Sequence, residues 1–132
     1  MNDKGNDSEA DMVEEFTVDE NETLTRVLPD RFRAVEGITM DWSGTWTRIE
    51  GRRFKIEYRK GGETLTADVT LGFGHLPAEG SSTETVVGLG GPRTNSSDGN
   101  NGHYYLRPNG PGRWRGTYDA PRGKGRVELT EY

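Results

Sequence analysis

From residue 23 onward the chain alternates apolar and polar side chains in short runs broken by glycine, the pattern of strands buried on one face. Two runs are cleanest. Phe54, Ile56 and Tyr58 oppose Lys55, Glu57 and Arg59, while Leu65, Ala67, Val69 and Leu71 oppose Thr64, Thr66, Asp68 and Thr70. No long 3.6-residue periodicity competes. Strands are predicted over 24–35, 38–49, 52–60, 63–73, 83–89, 103–107, 112–119 and 125–131. Between them, Glu50-Gly51, Gly61-Gly62, Ala78-Glu79-Gly80, Asn109-Gly110-Pro111-Gly112 and Ala120-Pro121-Arg122-Gly123 supply glycine or asparagine where a turn needs positive φ. Strands joined this tightly pair antiparallel. Eight of them make a sandwich or a barrel, and closure, which removes exposed edges, favours the barrel. The expected fold is all-β: a closed eight-stranded antiparallel barrel over residues 23–132, preceded by a disordered or capping segment over 1–22. Alternation does not say which face is the lumen. The polar, glycine-rich stretch Gly90–Gly102 exceeds ordinary hairpin length and reads as a mobile lid or as slack.

Composition narrows the class. The chain has 132 residues, no cysteine, 19 glycines and 30% apolar side chains, which suits one small domain with a modest core. Lack of cysteine excludes disulfides, thiolate nucleophiles and cysteine-bound zinc; with only His75 and His103, no metal site is expected. No run is apolar enough to span a membrane, and residues 1–20 carry no signal-like core, so a cytoplasmic address is expected. The net charge of −5 is unevenly spread. Residues 1–22 hold nine acids against Lys4, or −8, leaving +3 for the rest. Such a tail is a solvated terminus, a lid over a basic surface, or a mimic of nucleic acid. A body at only +3 argues against a nucleic-acid surface.

The polar inventory is thin. Neither a Ser/His/Asp arrangement, a P-loop, a dinucleotide fingerprint nor a paired-carboxylate signature is present. Asp98-Gly99-Asn100-Asn101-Gly102 lacks the later bidentate glutamate of a calcium loop, and the glycosylation-like triplets at Asn21 and Asn95 matter only in a secreted chain. The aromatic residues are more suggestive. Trp42 and Trp46 share one side of a strand, Trp114 and Tyr118 share another, and Tyr104-Tyr105 puts one phenol on each side. These rings either line a pocket or fill a core. Arg113 and Arg115 should point away from the Trp114 indole.

Phe54-Lys55-Ile56-Glu57-Tyr58, Asp68-Val69-Thr70-Leu71, Ala78-Glu79-Gly80 and Trp114-Arg115-Gly116-Thr117, in that order within residues 38–132, resemble the small β-barrel cyclases of spirotetronate polyketide biosynthesis. These Diels-Alderases share a barrel with allene oxide cyclases. The resemblance implies a cofactor-free homodimer of antibiotic biosynthesis, folding a linear polyketide on a tetronate or tetramate ring for an intramolecular [4+2] cycloaddition, or a hetero-Diels-Alder closure. It implies Trp114 as pocket floor, with Tyr104 or Tyr105 as a pocket tyrosine, these three forming the catalytic set. Met40 or Trp42 falls where the family has an early-strand aromatic, Leu65 replaces a family tyrosine, and Trp46 and Tyr58 complete the substrate-binding wall. A concerted cycloaddition transfers no proton, so such a catalyst chiefly freezes a floppy chain into its reactive shape. On this reading Trp114→Ala cuts turnover without unfolding the barrel. The alternative is a non-catalytic calycin-like barrel binding a small hydrophobic ligand, since Gly44-Thr45-Trp46 is similar to the Gly-x-Trp signature of lipocalins and avidins. Arg48 and Arg52 stand where an avidin has small hydrogen-bonding residues, which argues against biotin. A third expectation is an acidic inhibitor acting through residues 1–22.

Overall fold

The computed structural model describes residues 28–81 and 83–132; the acidic segment 1–22 and the start of the first predicted strand lie outside them. Nine strands follow in chain order: β1 Arg31–Gly37, β2 Trp42–Glu50, β3 Arg53–Lys60, β4 Glu63–Thr70, β5 Gly72–Pro77, β6 Thr85–Thr94, β7 His103–Pro108, β8 Arg113–Ala120 and β9 Gly123–Glu131. All pairings are antiparallel, and no helix occurs among the described residues. The sheet runs β4-β3-β2-β1-β9-β8-β7-β6 and closes by a β4–β6 pairing.

The wall has eight staves because β4 and β5 are one strand bent at Leu71. Asp68↔Thr94 and Val69↔Arg93 on β4 keep the same register against β6 as Gly72↔Gly90 through Pro77↔Thr85 on β5. The barrel predicted from alternation is therefore the observed fold. Its hairpins are tight: Lys60 pairs with Glu63 across Gly61-Gly62, with Gly61 at φ 60°, a left-handed value that glycine adopts without steric cost. Gly44 serves another purpose. A Cβ there would meet the Glu57 carbonyl oxygen at 1.8 Å, so β2 and β3 reach their close approach only because that position has no side chain.

The lumen face is the one carrying Phe32, Ala34, Trp46, Phe54, Ile56, Tyr104, Leu106, Val127 and Leu129, each no more than 1% exposed. Through the middle of the barrel these rings touch one another. Centroids lie 5.7 Å apart for Phe32–Phe54, 6.3 Å for Phe32–Trp46, 4.7 Å for Trp46–Tyr104 and 4.6 Å for Tyr104–Tyr118. Such tilted and edge-on contacts add to the area that aromatic rings bury. One end is stoppered: Leu28 is buried in the same cluster, and Arg48 lies over Phe54 while donating to the Leu28, Pro29 and Gly51 carbonyls.

The stretch Gly90–Gly102 is neither lid nor slack throughout. Its first five residues complete β6, and the remaining loop is tied across the other end of the barrel. Ser97 N donates to Thr66 O at 2.8 Å, Thr66 N donates to Ser97 Oγ at 3.0 Å, and Asn95 donates to Asp68 at 2.9 Å. The Tyr118 hydroxyl donates to Asn100 O.

Candidate functional site

At the end away from Leu28, the inward positions of four strands carry polar groups instead of hydrocarbon. Glu36 continues the Phe32–Ala34 face of β1, Tyr58 ends the Phe54–Ile56 face of β3, Arg93 closes β6, and Tyr104 opens β7. The Tyr58 and Tyr104 hydroxyls donate to the same carboxylate oxygen, Glu36 Oε1, at 2.7 and 2.6 Å. Arg93 Nη1 donates to Glu36 Oε2 and to the Tyr104 hydroxyl, both at 3.1 Å. Trp46 Nε1 donates to the Tyr58 hydroxyl at 2.8 Å, and Arg93 Nη2 donates to Ser96 Oγ at 3.0 Å and to Asp98 at 3.5 Å. The guanidinium also lies 4.2 Å from the centre of the Tyr118 ring, a cation–π distance. Arg93 Nε is a buried donor without an acceptor among the described residues.

Burial sets the electrostatics. It pushes the Glu36 carboxyl above its ordinary range, and the hydrogen bonds from Tyr104 and Tyr58 and the charge of Arg93 pull it back only in part. Burial opposes the charge on Arg93, but Tyr104, Glu36 and Tyr118 outweigh it, so the guanidinium stays protonated. Tyr58 and Tyr104 are held well above the usual phenol value, first by burial, and Tyr118 is pushed up to about 12 by the same cause. Asp98 goes the other way: hydrogen bonds from Ser96 and the Asn100 N–H, with Arg93, outweigh its partial burial.

Above this cluster opens a cavity of about 190 Å³, bounded by Trp42, Tyr58, Leu65, Glu36, Arg93 and Tyr118, with Ile38, Arg122 and Lys124 at its rim. Trp42 is half-buried, with Lys60 5.4 Å from its ring centre. A broader and more open groove of about 520 Å³ runs past His103, Tyr105 and Asp119; Arg93 reaches its lining, but Glu36, Tyr58 and Tyr104 do not. No group of three or more metal-ligating side chains occurs among the described residues.

The expected site residues divide. Trp42, Tyr58 and Leu65 come together on the cavity wall, and Tyr104 sits beneath it as part of the cluster. Trp46 is fully buried and fills the barrel, touching the site only through its hydrogen bond to Tyr58. Tyr105 is on the outer face, because β7 alternates and its neighbours Tyr104 and Leu106 point inward. Met40 stands in the β1–β2 turn at φ 59° and is not on the cavity wall. Trp114 does face inward, opposite Leu129, yet it lies four residues from Tyr118, about 13 Å along the strand toward the stoppered end. It packs against the core instead of flooring the cavity. Glu36 and Arg93 were absent from the expected set. Glu36 could have been found by extending the Phe32–Ala34 alternation by one step.

The class is a closed eight-stranded antiparallel barrel, filled by rings at its waist and carrying a buried carboxylate–guanidinium–phenol cluster beneath a cavity at the end that the 95–102 loop crosses. No family model, curated protein or solved structure matches this chain.

Proposed function

We propose that the barrel is a cofactor-free cyclase that closes a ring by intramolecular [4+2] cycloaddition, carbocyclic or hetero, on a linear tetronate-type substrate entering at the Glu36 mouth. The observation that carries this reading is the cavity itself: Trp42, Tyr58, Leu65 and Tyr118 share its lining with the fixed polar groups Glu36, Arg93 and Asp98. Apolar walls with a few fixed polar groups are what a small-molecule site requires. The walls hold the diene and alkene in contact, which supplies the entropic part of the rate. The Trp42 indole supplies a donor for a conjugated carbonyl, worth about 1–3 kcal/mol for one bond in a dry pocket. The resemblance in residues 38–132 supports the same chemistry, with the working residues at the mouth in place of Trp114 and Tyr105.

The experiment is incubation of the full chain with a synthetic tetronate bearing a tethered diene, following loss of the diene absorbance and the diastereomer ratio of the product. The expected outcome is one diastereomer formed faster than without protein, and slower with Trp42→Ala. An unchanged rate and product ratio overturns the proposal. One observation favours a second reading, a non-catalytic barrel for a small ligand: the cavity, about 190 Å³, is smaller than the roughly 300–1,000 Å³ of most ligand pockets. In that case the tethered diene or a smaller fragment binds and is recovered unchanged.

A further inference from the structure

Every proton on the two buried phenols is already directed at Glu36, so the cluster is saturated from the phenol side. The carboxylate is not. Oε1 accepts from Tyr58 and Tyr104, which uses both its lone pairs, but Oε2 accepts only from Arg93 Nη1. One lone pair of Oε2 is left, and the Glu36 side chain keeps 10% exposure on the cavity while that of Arg93 keeps 2%. Arg93 lines the same cavity, with Nη1 and Nη2 engaged by Glu36, Tyr104, Ser96 and Asp98 and with Nε buried out of reach of solvent. An unused lone pair on Glu36 and the charge of Arg93 thus border one cavity of mixed polar and apolar lining.

We propose that Glu36 is a general base toward carbon acids, with the positive charge of Arg93 offsetting the charge that develops on the carbonyl oxygen, so that the cavity enolises or isomerises an unsaturated carbonyl compound. This rests on the reading that the mouth admits a small unsaturated carbonyl compound, but not on ring closure. In the step, the C–H bond next to the carbonyl breaks and its proton goes to Glu36 Oε2. The electron pair forms the enolate C=C, and the charge on its oxygen is offset by the Arg93 guanidinium, which no longer faces an ionised Glu36. Glu36 then returns the proton to the same carbon or to the far end of the conjugated system. Nothing is oxidised or reduced and no co-reactant is needed. The groups facing Glu36 are Tyr58 from β3, Arg93 from β6, Tyr104 from β7, Tyr118 from β8 and, through Arg93, Asp98 from the loop. Tyr58 and Tyr104 keep their protons throughout the working range, so Glu36 is the group whose ionisation the rate should follow.

The test uses 5-nitrobenzisoxazole, a compact probe whose ring opens when a base removes its one carbon-bound proton: the N–O bond breaks and a coloured cyanophenolate leaves. The full chain should accelerate this reaction about 100-fold or more over the same concentration of acetate, the lower end of what a positioned base achieves. Glu36→Gln should abolish the gain. Because that variant also alters the core, the wild-type pH profile is the second measurement, and it should show one ionisation above the ordinary carboxylate range. A wild type no faster than acetate, a Glu36→Gln variant that stays active, or a rate flat across the carboxylate range overturns the proposal. If tethered dienes remain uncyclised while the probe turns over, the base stands and the cyclase reading falls. The reverse pattern removes the base and leaves the cyclase.

Discussion

Replacing Arg93 with methionine removes the cation while keeping most of the hydrocarbon stem, so the change isolates the charge. Lost with it are the Nη1 bonds to Glu36 and Tyr104 and the Nη2 bonds to Ser96 and Asp98. The decisive loss is at Glu36, whose carboxylate would remain buried with two phenols and no counter-charge. Breaking one side of a buried pair costs about 3–5 kcal/mol. At about 4 °C per kcal/mol for a domain of this size, the melting temperature at neutral pH should fall by about 12–20 °C. The loss should depend on pH. Glu36 already has a folded pKa above its unfolded value, and removing Arg93 raises it further, so the native state of the variant holds a proton that the unfolded chain gives up. Stability is then kept below the unfolded carboxyl pKa and lost as pH rises through the folded one. Urea unfolding of wild type and Arg93→Met at about pH 4 and about pH 7.5 measures this, and the variant's deficit should be much smaller in acid. The double variant Glu36→Gln/Arg93→Met should recover to within about 1–2 kcal/mol of wild type, since no charge is left behind. An equal deficit at both pH values, or a double variant as unstable as the single, would falsify the assignment of Glu36 and Arg93 as a mutually dependent pair.

Three further outcomes follow from the same geometry. Wild-type stability should decline as pH rises above the ordinary carboxylate range, and Glu36→Gln should flatten that slope in urea titrations; Asp98, shifted down, acts oppositely and only in acid, where its contribution disappears as pH falls through its folded pKa. In an alkaline absorbance titration of the folded protein, Tyr118 should ionise near pH 12 and Tyr58 and Tyr104 no earlier, so three of the five tyrosines stay silent at about pH 11; full ionisation there without loss of the β-sheet circular dichroism would contradict the cluster. Trp114→Ala should lower stability by about 2 kcal/mol, less than full burial of the ring would give, and leave probe turnover at the mouth unchanged per folded molecule; a selective loss of turnover would return Trp114 to the site.

What the chain discloses to inspection follows from the range of the interactions involved. Strand periodicity and two-residue turns are local, and so the Phe54–Ile56–Tyr58 face, the Gly61-Gly62 hairpin and the barrel itself are readable from neighbours along the sequence. The end of β1 is readable only in part: Glu36 keeps the inward step of Phe32 and Ala34, but its charge marks the place where a strand would be expected to stop. Arg93 was hidden by its company: Gly90, Gly91 and Pro92 read as loop, yet they continue β6 against β7 while Arg93 pairs with β4. The pair that holds the mouth together is 57 residues apart, and Tyr104 meets Glu36 across 68. Aromatic rings, by contrast, stand out in any sequence, and for that reason chemistry was expected at Trp114 and Trp46, where the folded chain uses hydrophobic area. A barrel this small must fill its waist with its largest side chains to be stable at all. Space for a ligand therefore survives only at an end, and the end that is not stoppered by Leu28 is the one where inward positions carry charge. An uncompensated carboxylate there would cost about 3–5 kcal/mol, so Arg93 and the two phenols serve stability whatever chemistry the mouth carries out. On the proposed reading Glu36 has both duties, so activity and stability must be read out separately there.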